Sequence, residues 1–316
     1  MKKIDQTNFC PPNLDESDSL SPLVVHRRKG TDNRSLVIFV HGLSGDRYGT
    51  WGKFPHLLFD DCPHIDLGAY AYRTALKRAV FWKSISLSRE AEIFAQELRD
   101  DDQYKQIILI GHSMGGLLCK SAIKWLHEAG ATNTLDRLNG LVLMDVPQAG
   151  SVRRIPFLDR ISSDAAVLKA HGEFVTNVTR MFQNHIWNSS ETAPVGKVHL
   201  PTWALKGASD FWVDRLSAGL DLPDCQMKTV HGSHTSIVKP VCRENEGYKY
   251  VRDCIEQLCP TPKQIANCQE NDQKSMQFYE KKFQELRVWK EKYDLGEDLV
   301  AEYDKKILDQ WVQDKR

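Results

Sequence analysis

The stretch that most constrains the fold of this chain is Gln106–Lys120, which reads QIILIGHSMGGLLCK. Its first part, Ile107–Ile110, is a short, unbroken apolar run rich in β-branched residues, which is typical of a strand buried on both faces. The letters GHSMG follow, and the apolar residues beyond them recur at helical spacing. A strand, a Gly-x-Ser-x-Gly turn and a helix in that order predict a nucleophile elbow, a sharp turn that displays the hydroxyl of Ser113.

The flanking elements carry this prediction, because the bare motif arises by chance in roughly one in ten chains of this length. In so tight a turn, side chains two residues before and after Ser113 would collide with the neighbouring strand and helix. Glycine at both of those positions, Gly111 and Gly115, fits that requirement. The competing interpretation is an ordinary strand-to-helix turn in which Ser113 takes no part in chemistry.

Composition limits the class of protein. The chain has 316 residues, enough for one large domain and an appendage, and its formal net charge of zero gives no indication of nucleic-acid binding. No apolar run approaches the ~20 residues of a membrane span, and the first residues lack the apolar core of a signal peptide. The eight cysteines show no paired framework. Free thiols in a reducing compartment are the simplest account, so we expect a cytoplasmic protein.

Strand and helix patterns alternate along the chain, which predicts an α/β fold with a mostly parallel sheet covered by helices on both faces. We expect an irregular lead-in over residues 1–22, a main domain over 23–260 with a helical cap at about 147–200, and a helical arm over 261–316. The predicted strands are 23–28, 35–40, 65–72, 107–110, 140–144, 201–207 and 225–230, and the predicted helices include 51–58, 86–99 and 248–258.

The strand that ends at Val40 runs directly into the letters HGLSG, a glycine-rich loop. A hydrolase with a nucleophile elbow builds its oxyanion hole from such a loop together with the residue that follows the nucleophile. We therefore assign the two backbone N–H donors to Leu43 and Met114. A glycine-rich turn without chemistry is the alternative.

A serine nucleophile needs a base and an orienting acid, which should follow it in the order acid, then histidine. Asp210 comes directly after a late strand and is the preferred acid; Asp214 and Asp145 are the other candidates. After the last strand, the letters HGSH offer two bases, and we prefer His234 to His231 because it lies deeper in the loop.

These segments resemble the serine-active-site-containing branch of the α/β-hydrolases, which is related to GPI inositol-deacylase-like and lipase-like proteins. The resemblance covers about residues 23–260 and rests on VIFVHGL with Thr50 and Trp51, LIGHSMGGL, VPQAGS, the stretch from 207 to 213 with Ser217 and Ala218, and HTSIVKP. It implies an α/β-hydrolase fold with Ser113 as nucleophile, His234 as base and Asp210 as acid. Relatives often carry Thr-Pro-His where this chain has Val146-Pro147-Gln148, so the departure concerns the substrate side of the site.

The predicted activity is ester hydrolysis through an acyl-enzyme, with no metal or other cofactor. The cap and the loop after Gly207 contain apolar residues that could bind an acyl chain, and these substrate-binding candidates are Phe174, Phe182, Phe211 and Trp212. They favour a lipid or lysolipid acyl ester, as in lipases and phospholipases, over a small soluble ester. The competing interpretation is that they only pack the cap onto the core.

The arm predicts two amphipathic helices separated near Gly296. Their apolar stripes are Met276, Tyr279, Phe283, Leu286, Trp289 and Tyr293, then Leu299, Tyr303, Ile307 and Trp311. Either the helices fold back as an αα-hairpin, or they bind a second copy or another protein. The second possibility leads to an alternative function, an interaction module with a hydrolase fold and little turnover. A transient contact with a membrane surface also stays open.

Overall fold

The structure is a computed structural model that describes residues 1–11, 21–42, 45–72, 87–100, 102–146, 165–209, 222–293 and 297–314. The chain divides into two compact units, Met1–Cys259 and Pro260–Arg316. The elbow and the predicted base both lie in the first unit.

The first unit is built around an eight-stranded sheet with the order β1-β2-β4-β3-β5-β6-β9-β10. Its strands are β1 (Lys2–Gln6), β2 (Leu23–Arg28), β3 (Ser35–Val40), β4 (Ile65–Tyr70), β5 (Gln106–His112), β6 (Leu138–Met144), β9 (Thr202–Gly207) and β10 (Met227–Val230). Two further strands, β7 (Ile186–Trp187) and β8 (Val198–His199), form a separate pair.

Six consecutive strands of the sheet, from β4 to β10, run parallel, whereas β2 is antiparallel to β4. The carboxyl ends of β3, β5, β6, β9 and β10 therefore meet at one edge. In an open parallel sheet, ligands bind at this edge. The predicted mostly parallel sheet is confirmed.

Helices cover both faces of the sheet, because its central strands are apolar on both sides. On one face, Leu36, Ile38 and Leu109 pack into a core with the helices at 87–100 and 114–128. On the other, Val37 and Ile108 pack with the helices at 54–61 and 246–258. The helices of this unit are α1 (Phe54–Asp61), α2 (Leu87–Asp100), α3 (Met114–Glu128), α4 (Thr132–Leu135), α5 (Ala165–His185) and α6 (Glu246–Leu258).

Two local features differ from the sequence prediction. The lead-in is not irregular throughout, because β1 pairs in parallel with β2 at the edge of the sheet. Its alternating letters KKIDQ are too short and too polar to stand out as a strand. In the predicted cap, two separate helical patterns belong to the single helix α5, and β7 and β8 form a pair that the sequence did not indicate.

The second unit contains two helices, α7 (Pro262–Tyr293) and α8 (Glu297–Asp314), which contact each other. Tyr279 is buried at 5% exposure, whereas other apolar residues of the unit stay open to solvent: Met276, Phe278, Val288 and Tyr303 are 51%, 52%, 60% and 49% exposed. The side chains of Leu286, Trp289, Tyr293, Leu299 and Trp311 lie outside the description. Within the described ranges of the whole chain, no helix combines the length and apolarity that a membrane span requires.

Candidate functional site

Ser113 occupies a strained turn between β5 and α3. Its backbone angles are φ 52° and ψ −124°, a conformation that residues with a side chain rarely adopt and that costs about 1–3 kcal/mol. The turn is held from both sides, since the Ser113 N–H donates to the Met144 carbonyl at 3.0 Å and the Gly116 N–H donates to the Ser113 carbonyl at 3.0 Å. The strand-turn-helix geometry is therefore the one that the motif predicts.

The glycines around Ser113 permit this turn. A Cβ added at Gly111 would lie 2.5 Å from the Gly116 Cα, and one added at Gly115 would lie 2.2 Å from the Val40 carbonyl oxygen. Neither contact is tolerable, because backbone atoms stand on both sides. The start of α3 is thus pressed against the end of β3, where the glycine-rich loop begins.

The glycine-rich loop passes beside Ser113. A Cβ added at Gly42 would meet the Ser113 Cβ at 2.9 Å. Met114 is the first residue of α3, so its N–H is not used by the helix ladder and lies at the positive end of the helix dipole. Leu43, the other predicted donor, lies outside the described residues.

Tyr72 supports the root of this loop. Its hydroxyl donates to the His41 carbonyl at 2.9 Å, and its ring stacks on the His41 imidazole at 4.6 Å with an interplanar angle of 12°. The His41 Nδ1–H donates to the Gly42 carbonyl at 2.8 Å, and the Tyr72 N–H donates to Nε2 at 3.4 Å. This pattern suits a neutral imidazole. Burial lowers the pKa of His41, and the hydrogen bond to Gly42 offsets only part of this lowering.

The loop after β10 brings His234 next to the elbow. The imidazole of His112, the residue before Ser113, lies 4.7 Å from the His234 ring, centroid to centroid. Its Nε2 is 2.8 Å from the His234 carbonyl oxygen. His234 is half-buried, whereas His231 is exposed. Of the two candidate bases, His234 is the one whose contacts with the residue before Ser113 are described.

Of the three candidate acids, Asp210 and Asp214 lie outside the described residues, and Asp145 is described. Asp145 follows β6, is 1% exposed and has a positive φ of 46°. Its Oδ1 accepts the Gly207 N–H at 3.0 Å. A Cβ added at Gly207 would lie 3.1 Å from Asp145 Oδ2 and 2.7 Å from the Gly232 carbonyl oxygen. Asp145 and Gly232, near the start of the loop that bears His234, therefore both lie close to Gly207.

The four predicted substrate-binding residues divide into two pairs. Phe211 and Trp212 lie outside the described residues. Phe182 on α5 is buried at 6% exposure, and the Lys120 ammonium lies 4.7 Å from its ring centroid. Phe174, also on α5, is half-buried and packs against the same core. Packing onto α3 therefore accounts for Phe182, and Phe174 is the more exposed of the two.

Two residues that support the site, His112 and Tyr72, were not identified from the sequence. The sequence nevertheless contains a feature that points to each of them. His112 lies inside the Gly-x-Ser-x-Gly motif, and Tyr72 comes two residues after the end of β4, at the edge where the site forms. Their partners are the backbone carbonyls of His234 and His41, which no residue pattern specifies.

The described groups suit acyl transfer. One edge of the sheet brings together a serine hydroxyl, an imidazole-bearing loop and an unused helix N–H. These are the groups needed to form and stabilise a tetrahedral intermediate. Among the residues whose side chains are described, no three His, Cys, Asp or Glu groups are close enough to hold a metal ion.

Solved structures similar to this chain include three hydrolases. They are the type II thioesterase BorB from the borrelidin biosynthetic cluster, the monoacylglycerol lipase of Paleococcus ferrophilus, and the RedJ thioesterase from the prodiginine pathway of Streptomyces coelicolor. Their identities are 19%, 15% and 13%, and their TM-scores are 0.46, 0.46 and 0.44. The matches cover 75%, 73% and 72% of this chain and 96%, 97% and 87% of theirs.

No curated protein matches the chain. A model of the alpha/beta hydrolase family matches residues 37–241, which is well over half of the chain and includes every segment from His41 to His234 described above. The chain therefore belongs to the alpha/beta hydrolase family.

Proposed function

We propose that this protein is a serine ester hydrolase that works through an acyl-enzyme. Ser113 attacks the ester carbonyl, His234 takes the hydroxyl proton and passes it to the leaving alcohol, and the N–H groups of Leu43 and Met114 stabilise the oxyanion. Water then attacks the acyl-enzyme with His234 again as base. Asp210 is the preferred acid that orients the imidazole.

The strained turn at Ser113 carries this proposal. A positive φ at a residue with a side chain costs free energy and persists only where the surroundings impose it. Here the surroundings are the three close glycine contacts at Gly42, Gly111 and Gly115. An ordinary strand-to-helix turn needs neither the strain nor the contacts, so the bystander interpretation of Ser113 loses its support.

The acid is best tested by comparing two variants. Asp210→Asn should lower kcat by orders of magnitude if Asp210 orients His234, because the imidazole then loses its tautomer control. Asp145→Asn removes the buried carboxylate of Asp145 while keeping the shape of the side chain. If Asp145→Asn abolishes turnover in a folded protein and Asp210→Asn does not, the acid is Asp145, as its position near the start of the His234 loop allows.

For the substrate we propose a lipid or lysolipid acyl ester, supported by the apolar face of α5 and the half-buried Phe174. The test compares p-nitrophenyl esters of acetate, octanoate and palmitate. Phe174→Ser should lower kcat/KM for the longer chains more than for acetate, whereas Phe182→Ser should mainly lower the melting temperature. Equal losses on all three esters would leave only the packing interpretation.

The alternative is an interaction module whose second unit binds another protein, favoured by the exposed apolar residues of α7 and α8. The rate of ester hydrolysis by wild type, compared with that of Ser113→Ala, distinguishes the hydrolase proposal from the module proposal.

We also propose that the chain belongs to the serine-active-site-containing branch, which the motifs quoted above support, and that it works in a reducing cytoplasm. The described cysteines are all free thiols, which supports that setting.

A further inference from the structure

His112 has a buried imidazole, and the proposed mechanism assigns it no role. It ends β5 directly before Ser113 and is 5% exposed. Burial of an imidazole costs free energy unless its polar atoms find partners. The partners of His112 therefore indicate what the residue does.

The Nε2 atom of His112 lies 2.8 Å from the backbone carbonyl oxygen of His234, across 122 residues of sequence. A carbonyl oxygen only accepts hydrogen bonds, so Nε2 must carry the proton. The bond joins the residue before the nucleophile to the main chain of the proposed base. It therefore fixes where the His234 backbone stands relative to Ser113.

The surroundings hold the His112 ring in one orientation. The Trp51 ring packs edge-on to it at 6.4 Å and 74°, and a Cβ added at Gly42 would lie 3.2 Å from Nδ1. The ring thus lies between the glycine-rich loop and the His234 loop. It touches the two loops that must keep their places around Ser113 during the reaction.

The His234 loop is a short turn with its own internal bonds. The Ser236 and Ile237 N–H groups donate to the Ser233 carbonyl at 3.1 and 3.3 Å, and Ile237 is buried at 4% exposure. These bonds shape the turn but do not connect it to β5. The bond from His112 makes that connection at the residue that bears the imidazole.

We propose that His112 is a positioning residue that sets the distance between the His234 imidazole and the Ser113 hydroxyl by holding the His234 carbonyl. This inference rests on the proposed function of the site. His112 transfers no proton and touches no substrate. A displacement of about 1 Å in a catalytic group can cost ~10²-fold in rate, so loss of this bond should appear in kcat.

Two amide substitutions separate the bond from the mere presence of a polar residue. The side-chain nitrogen of Gln occupies roughly the place of histidine Nε2, whereas that of Asn occupies roughly the place of Nδ1. His112→Gln should keep kcat within about threefold of wild type, and His112→Asn should lower it by ~30- to 100-fold with little change in KM. If the two variants lose kcat equally, and these losses follow the fall in their melting temperatures, the proposal is overturned.

Hydrogen exchange gives a readout that does not need turnover. The Ser236, Ile237 and Lys239 amides are bonded within the loop, so exchange of a peptide over residues 232–239 reports its order. His112→Asn should speed exchange there, and His112→Gln should not. Unchanged exchange in His112→Asn would refute the tether. A wild type that neither hydrolyses esters nor reacts at Ser113 would instead refute the proposed function, while the exchange data still decide the tether.

Discussion

At the scale of single residues, the proposed site depends on a backbone conformation that residues with a side chain rarely adopt. Ser113 holds a φ of 52° because Gly111 and Gly115 allow strand, turn and helix to touch. Gly42 also lies close to Ser113. The strain therefore falls on the proposed nucleophile, and it can be measured apart from the chemistry.

Ser113→Gly should be more stable than Ser113→Ala by about 1 kcal/mol. Both variants lose the hydroxyl, but glycine adopts a positive φ without strain, which outweighs its greater entropy in the unfolded chain. Urea denaturation of the two variants at pH 7 measures the difference. Equal stability, or a more stable alanine variant, would show that the turn at Ser113 is not strained.

Tyr72→Phe tests whether Tyr72 supports the glycine-rich loop, which contains the proposed oxyanion donor Leu43. The change removes the hydroxyl that donates to the His41 carbonyl but keeps the stacked ring. We expect kcat to fall about tenfold, less than the ~10²–10³ that loss of a whole oxyanion donor costs. Tyr70→Phe is the matched control, because it removes the nearby bond from the Tyr70 hydroxyl to Glu90. Equal losses of kcat in both variants would point to general destabilisation.

At the scale of elements, β1 depends on a buried histidine. His26 in β2 is fully buried and bonds to Gln6 in β1 at 3.1 Å and to the Tyr48 hydroxyl at 2.9 Å. Burial, with smaller contributions from Arg47 and His56, lowers the pKa of His26 to about 4. Protonation of this imidazole is therefore costly in the folded state.

Acidification should destabilise the protein through His26. Well above pH 6.5 the imidazole is neutral in both the folded and the unfolded state. As the pH falls from 6.5 towards 4, mainly the unfolded state takes up the proton. At ~1.4 kcal/mol per pKa unit, the free energy of unfolding should drop by about 2–3 kcal/mol between pH 7 and pH 4.5 on this account alone. His26→Gln should reduce that drop in urea titrations. An unchanged pH dependence in the variant would contradict the assignment.

The central strands were the clearest in the sequence, because their residues pack on both faces of the sheet. The runs at Leu36–Val40 and Ile107–Ile110 are apolar throughout, so their place in the centre was predictable. β1 was missed because an edge strand needs little apolar character. The supports of the site were missed as well, because His112 and Tyr72 act on backbone carbonyls that only the folded chain brings near.

At the scale of the whole molecule, the chain consists of two units with different surfaces. The first packs many of its described apolar residues into two cores and leaves Val195 and Val241 exposed. The second leaves Met276, Phe278, Val288 and Tyr303 about half exposed or more. The sequence predicted the apolar stripes of the arm, but periodicity alone does not identify what covers them.

A chain truncated after Cys259 should keep ester hydrolysis within about twofold of full length and form a smaller species in light scattering. The reason is that the proposed catalytic residues all precede Cys259, whereas the exposed apolar residues follow it. Full-length Phe278→Glu is the matched control and should also form the smaller species. Aggregation or loss of activity on truncation would show that the second unit is needed by the first.

The serine nucleophile can be located by mapping where a fluorophosphonate forms a covalent adduct. Trypsin should release Gln106–Lys120, a peptide whose single serine is Ser113. This peptide should gain the mass of the phosphonyl group in wild type, and no adduct should form in folded Ser113→Ala. An adduct on another peptide, or a folded wild type that does not react, would contradict the assignment of Ser113 as the nucleophile.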